Sequence, residues 1–234
     1  MLALAETDAR VVSGAIVGSL ATGPGDRFSD LDLTFGVAGD APVADVLADW
    51  SRVVEDELGG VRLFDLPAGP SIYRVFLLPG SLQFDLSFTP AASFGATSPA
   101  FRLLFGEVGE RASAEAPPVQ QLFGYGVHHV LRARFCIERG RLWQAEYWTS
   151  AARDYALHLA CRTRGLPASN GRGFDQLPDD VHARFARSLP VAIEPAELLR
   201  ALRVALDALL AEGGELAAPV ERDLRALVEA DTLS

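Results

Sequence analysis

The sequence contains no lysine. All 21 basic residues are arginine, so any cation that meets a phosphate must do so through a planar guanidinium fork rather than an ammonium point charge. With the abundance of Ala, Gly, Pro and Asp, this reads as the coding bias of a GC-rich genome. Cysteine is scarce too. Cys136 and Cys161 are too few for a disulfide framework and lack metal-site spacing. Each lies in apolar, helix-like surroundings and reads as a small buried hydrophobe. Long apolar runs are also missing. No stretch approaches the roughly 20 residues of a membrane helix, and the opening MLALAETDAR has no basic flank of the kind a secretory signal carries. These absences lead to the expectation of a soluble, cytoplasmic protein.

Positive charge is not in excess. The net charge of −10 argues against a broad nucleic-acid surface, which is built mainly from clustered cations. It suits a small or cationic partner better. With 49% hydrophobic and 22% charged residues the chain has ordinary globular composition, which excludes a mostly disordered one. A length of 234 residues allows one large domain or two modest ones.

The first half mixes strand and helix signals. A short apolar run, Ala15 to Val17, ends at Gly18-Ser19, and Asp30 to Val37 (DLDLTFGV) alternates as a half-buried strand does. Pro42 to Leu58 repeats apolar residues at helical spacing and is stopped by Gly59-Gly60. Further strands are predicted over 61–66, 72–78 and 82–88, the last two joined by a Pro-Gly-Ser turn. Residues 112–119 (ASAEAPPV) have linker composition. Beyond them the pattern is helical, over about 119–138, 141–164, 179–188, 195–212 and 216–230. The expectation is an α+β protein: a small mixed sheet domain, residues 1–113, followed by an all-helical bundle, 114–234.

The chemistry is concentrated in the first domain. Asp30 and Asp32 are two apart on a strand-like run, so their carboxylates share a face while Leu31 and Leu33 point into a core. Like charges held side by side repel and invite a cation. Mg²⁺ suits such oxygen ligands, taking one or two carboxylates and filling its other positions with water and phosphate oxygens. Upstream, Gly18 permits close approach of backbone to a ligand, and Ser19 offers a hydroxyl donor. A third carboxylate, Asp85, sits among Phe84, Leu86 and Phe88, where an acid is costly unless paired or metal-bound. Its neighbours on the same face are Gln83 and Ser87. A strand at 82–88 lying beside 30–37 would bring three carboxylates to one edge.

Val17-Gly18-Ser19, ten residues, Asp30-Leu31-Asp32-Leu33 and then Asp85 together resemble the DNA polymerase β-like nucleotidyltransferase superfamily. The run Arg27-Phe28-Ser29-Asp30-Leu31-Asp32 is similar to its aminoglycoside and lincosamide nucleotidyltransferases, which also follow the catalytic domain with a helical one. The resemblance implies two Mg²⁺ ions on Asp30, Asp32 and Asp85. It implies ATP or another NTP as co-substrate, held by Gly18, Ser19, Arg27 and Ser29. It further implies transfer of a nucleoside monophosphate to a hydroxyl of a small acceptor such as an aminoglycoside or lincosamide antibiotic, and it allows a homodimer. A general base on the helical domain is implied as well. Glu146 is the candidate, with Asp154 or Glu138 as alternatives.

Blander roles stand beside several of these. Arg27 reads equally as a solvated residue, Ser29 as a turn residue and Glu146 as a helix-surface acid. His128 and His129 have no partner at ligand spacing and read as packing or surface residues. Trp143, Tyr147, Trp148 and Tyr155 recur at helical spacing and read as core. Two other readings of the whole chain remain. One is a protein-modifying, AMPylating enzyme of toxin–antitoxin type, and the other a non-catalytic nucleotide-binding regulator of the same fold.

Overall fold

A computed structural model describes residues 1–109 and 116–230. The chain divides into two compact units, Met1–Glu115 and Ala116–Ser234. The expected boundary at 113/114 and the first part of the expected linker lie outside the described residues. The fold is α+β, as expected: one mixed sheet with its helices, then helices alone.

In the first unit the elements run α1 (Leu2–Thr7), β1 (Val11–Val17), α2 (Ser19–Thr22), β2 (Leu31–Val37), α3 (Val43–Leu58), β3 (Val61–Ala68), β4 (Ser71–Leu78), β5 (Leu82–Pro90) and β6 (Phe101–Phe105). The sheet order is β3-β4-β5-β2-β1-β6. β2 and β5 are parallel, and every other neighbouring pair is antiparallel. A parallel pair needs a crossover, and α3 with the β3–β4 hairpin supplies it. Val46, Leu47, Trp50 and Val54 of α3 are buried. They cover one sheet face, where Leu33, Phe35 and Val37 of β2 and Phe84, Leu86 and Phe88 of β5 meet them in one core. Trp50 is its centre, 4.8 Å from Phe35 and edge-on to Phe88 at 5.1 Å. Gly59 ends α3 in the left-handed conformation at φ 65, a position that favours glycine.

Asp8 ties α1 to this core. Its carboxylate accepts from Trp50 Nε1 at 2.8 Å and from Arg10 at 2.8 and 2.9 Å. The Arg10 guanidinium holds its pKa far below the usual carboxylate range, with the Trp50 bond adding to the effect and burial opposing it. A depressed folded pKa gives stability that is complete above the unfolded value near 3.9 and is lost as pH falls through the folded one. Asp8→Asn is therefore expected to lower the melting temperature at pH 7 and to flatten its decline between about pH 5 and pH 2, read by thermal melts across that range.

Three elements of this unit, α1, the single-turn α2 and β6, were not legible in the sequence. β1 also begins at Val11 rather than at Ala15. The exposed stretch 101–105 shows no polar/apolar alternation, and only its pairing with β1 makes it a strand.

The second unit contains α4 (Val119–Glu138), α5 (Leu142–Thr163), α6 (Asp179–Ala186), α7 (Pro195–Gly213) and α8 (Glu221–Glu229). α4, α5 and α7 build its core. Ala145, Thr149, Ala152, Ala156 and Ala160 form a buried small-residue face on α5, which lets neighbouring helices approach closely. Gly126 does the same on α4: a Cβ there would meet Leu209 Cδ1 at 2.5 Å. Buried Arg134 donates to the carbonyls of Leu227 and Ala230, both at 2.9 Å, and pairs with Glu138. It thereby satisfies acceptors at the C-terminal end of α8 that the helix itself leaves open. Cys136 and Cys161 are buried and free. No helix among the described residues is long and apolar enough to cross a membrane.

Candidate active site

Three carboxylates converge on the face of the sheet opposite α3. β2 and β5 run parallel with Asp32 directly across from Asp85. Asp30 stands one residue before β2 begins. The three residues are half-buried, and each offers a carboxylate oxygen within 4.8 Å of the others. This spacing follows from the register, because directly paired residues on adjacent strands project to the same face.

The electrostatics are unfavourable without a cation. Burial pushes the Asp85 carboxyl up from its ordinary pKa, and the negative charge of Asp30 adds to it. Hydrogen bonds from Gln83 and with Asp32 pull the other way. The Gln83 amide donates to Asp85 Oδ1 at 3.0 Å. A raised carboxyl pKa means that the stability the group contributes is present at low pH and lost as pH rises through the folded value. At neutral pH in metal-free buffer, the ionised cluster therefore costs stability. Asp85→Asn is expected to raise the metal-free melting temperature at pH 7, an increment that shrinks toward pH 4. An equal or lower melting temperature would contradict this. Hard oxygen donors at this separation fit Mg²⁺ in ligand type.

Gly18 closes one side of the cluster. It follows β1 with φ 73 and ψ −154, in a region essentially restricted to glycine. A Cβ at this position would lie 2.3 Å from Asp32 Oδ2. Its N–H donates to the Ala100 carbonyl at 3.1 Å. Ser19 opens the single-turn helix α2 and is exposed. Arg102 of β6, exposed, reaches α2 through a bond from Nη2 to the Leu20 carbonyl at 3.4 Å. Arg102 carries no motif of its own in the sequence, because only pairing with β1 makes its segment a strand.

Arg27 and Ser29 belong to the turn that leads into β2. The Ser29 hydroxyl accepts from the Asp26 N–H at 2.9 Å, and Asp26 Oδ1 accepts from the Phe28 N–H at 2.8 Å. Ser29 thus has the turn role that was one of its two expectations. The Arg27 guanidinium lies 4.4 Å from the Phe28 ring centre, and that ring is 78% exposed. Arg27, Phe28, Ser29 and Asp30 line a cavity of about 610 Å³ together with Gly80 and Ser81 of the β4–β5 turn and Leu82 and Gln83 of β5. Phe28 and Gln83 were not singled out as site residues by the sequence, where neither carries a motif of its own.

Glu146 is on α5 in the second unit. Its carboxylate accepts from the Ser150 hydroxyl, which accepts in turn from Arg153 Nη2 at 2.9 Å. One turn further, the protein around the Asp154 carboxyl raises its pKa. Arg153 and then His158 lower it, and Glu146 raises it slightly. Glu138, the other alternative, is paired with Arg134. Of the four aromatic residues read as core, Trp148 and Tyr155 pack against the helical core. Trp143 and Tyr147 do not, being 77% and 62% exposed. They lie one turn apart on the solvent side of α5, and helical periodicity alone cannot tell which face is inward. The His129 ring lies tilted against Trp148 at 4.9 Å and Tyr155 at 5.0 Å, a packing role.

No family model matches the chain, and no curated protein matches it. Among solved structures, an aminoglycoside 6-adenyltransferase from Bacillus subtilis aligns over 98% of this chain and 96% of its own. The identity is 10% and the TM-score 0.43. A likeness of that size says nothing about activity.

Proposed function

We propose that the protein is a metal-dependent nucleotidyltransferase, moving a nucleoside monophosphate, AMP in the default case, from an NTP to a hydroxyl of a small molecule. One observation carries this reading: Asp30, Asp32 and Asp85 bring oxygens within 4.8 Å of one another, with the last two in register on parallel strands. The motif spacing in the sequence supports it independently. On this reading the first unit is the catalytic domain and the second a helical domain.

Asp30, Asp32 and Asp85 would hold two Mg²⁺ ions. Bound there, the metal would supply charge neutralisation for the phosphates and for the oxygens that attack and leave. Gly18 lets the backbone approach closely enough to receive the β and γ phosphates, and Ser19 and Arg27 donate to them. The acceptor oxygen forms a bond to the α-phosphorus as the bond from that phosphorus to the bridging oxygen breaks. Pyrophosphate carries away the electron pair. The hydroxyl proton passes to a carboxylate base, for which Glu146 is the proposed residue. Glu146→Gln is expected to lower kcat by about 10²-fold or more, with NTP binding retained. An unchanged kcat would remove Glu146 from this role.

Mass spectrometry of reactions containing ATP, Mg²⁺ and a panel of aminoglycosides and lincosamides tests the reading. A gain of one AMP on any compound is the expected outcome. Absence of an adduct on the panel, and of Mg²⁺-dependent pyrophosphate release, would reject it for these acceptors.

A further inference from the structure

We propose, resting on the nucleotidyl-transfer reading, that the acceptor is amphipathic, with an apolar portion that lies on an exposed shelf of β3 and β4 beside the carboxylates. The register places this shelf. Phe64 pairs with Val75, Val75 with Asp85 and Asp85 with Asp32, one continuous row across four strands. Rows on either side run Val61–Leu77–Gln83 and Leu66–Tyr73–Ser87. Directly paired residues share a face, so these side chains stand on the face that bears Asp85.

The shelf is apolar and open. Val61, Phe64, Leu66 and Leu77 are 60%, 54%, 56% and 41% exposed, while Val75 between them is buried and forms a floor. Contiguous exposed apolar surface of this kind marks binding sites. The other face of the same strands is different. There Asp65 takes a bidentate pair from Arg74, whose third nitrogen donates to Ser51 of α3 at 2.7 Å. Charge is neutralised on the helix side, and none is placed on the shelf.

Addition of another strand alongside the shelf is disfavoured. β3 is an edge strand, but a bulge between Arg62 and Phe64 and Pro67 near its end interrupt the edge. Both features are devices that discourage strand addition. Two strand spacings separate Phe64 from Asp85, about 10 Å. A molecule with a hydroxyl at the carboxylates and an apolar ring or chain within that reach covers the shelf. A polycation finds no acid there to pair with beyond the cluster itself.

Alkyl β-glucosides from methyl to octyl, below their micellar concentrations, probe this with the full chain and Mg²⁺. Calorimetric titration is expected to show affinity rising with chain length by roughly two- to fourfold per buried methylene. Phe64→Ser and Leu66→Ser, both at exposed positions, are expected to abolish that dependence. Val191→Ser, 89% exposed in the second unit, is expected to leave it intact. With Mn²⁺ in place of Mg²⁺, the sugar protons of bound octyl glucoside are expected to relax faster than its terminal methyl. The proposal is overturned by a flat chain-length series, by a slope that survives both shelf variants, by the reverse order of relaxation, or by a dimer that Phe64→Ser dissociates. Failure of the underlying reading shows separately, as absence of Mg²⁺-dependent pyrophosphate release. Transfer to a polycationic acceptor unaffected by Phe64→Ser would keep that reading and discard the shelf.

Discussion

Asp32→Asn is expected to reduce kcat by about a thousandfold or more while leaving the fold intact. On the nucleotidyl-transfer reading, loss of one of the three carboxylates removes several kcal/mol of charge stabilisation from the transition state, and each 1.36 kcal/mol is about tenfold in rate. Asp32 is the most consequential of the three because it is held from two sides. It is in register with Asp85 on one side and has Gly18 against its carboxylate on the other. The substitution keeps shape and volume and removes one like charge from a crowded cluster, so the far-UV spectrum and melting temperature should match or exceed those of the native chain. Turnover with Mg²⁺ and ATP, measured beside the melt, separates chemistry from folding. Residual activity within tenfold of native would remove Asp32 from the metal site, and a collapsed melt would make its role structural.

Gly18→Ala is expected to affect both activity and stability. At φ 73 and ψ −154 an L side chain costs about 1–3 kcal/mol in backbone strain alone. The added methyl would also stand 2.3 Å from Asp32 Oδ2, so the carboxylate must rotate away or β1 must shift. For a unit of about 115 residues that strain corresponds to a melting-temperature loss of several degrees or more. The displaced carboxylate should weaken Mg²⁺ as well, seen as a higher Mg²⁺ concentration for half-maximal pyrophosphate release. Gly23→Ala is the control. It is in the same loop region, and a Cβ there meets nothing within 4 Å. If Gly18→Ala and Gly23→Ala behaved alike, the close approach would carry no functional weight.

Much of the fold was legible because its signals are local. The alternation of Asp-Leu-Asp-Leu-Thr-Phe reported β2. The repeat of Val46, Trp50 and Val54 reported α3, and Gly59-Gly60 its end. The five long helical patterns after Val119 correspond to α4 through α8, with the last starting five residues later than expected behind a short 3₁₀ turn at Gly214–Leu216. Where local signal is weak, an element leaves little trace in the sequence. α1 has six residues and few flanking cues. β6 is an exposed edge strand defined by its partner rather than by its own pattern.

The sequence by itself determined which residues carry the candidate chemistry, because spacing along one chain is a local property. Asp30 and Asp32 two apart, a Gly-Ser upstream and an acid stranded among phenylalanines are visible without any structure. Only the tertiary structure decided their company. Asp85 is 53 residues beyond Asp32, and it faces Asp32 only because α3 and the β3–β4 hairpin return the chain to lie parallel to β2 in one register. The same pairing put an apolar row beside the acids, and the bend after β1 set Gly18 against Asp32. These are consequences of strand order and register. A one-residue slip would turn each of those side chains to the opposite face. The hydrophobic face packed on Trp50 is what prevents such a slip, and that packing is a property of the assembled sheet rather than of any one segment.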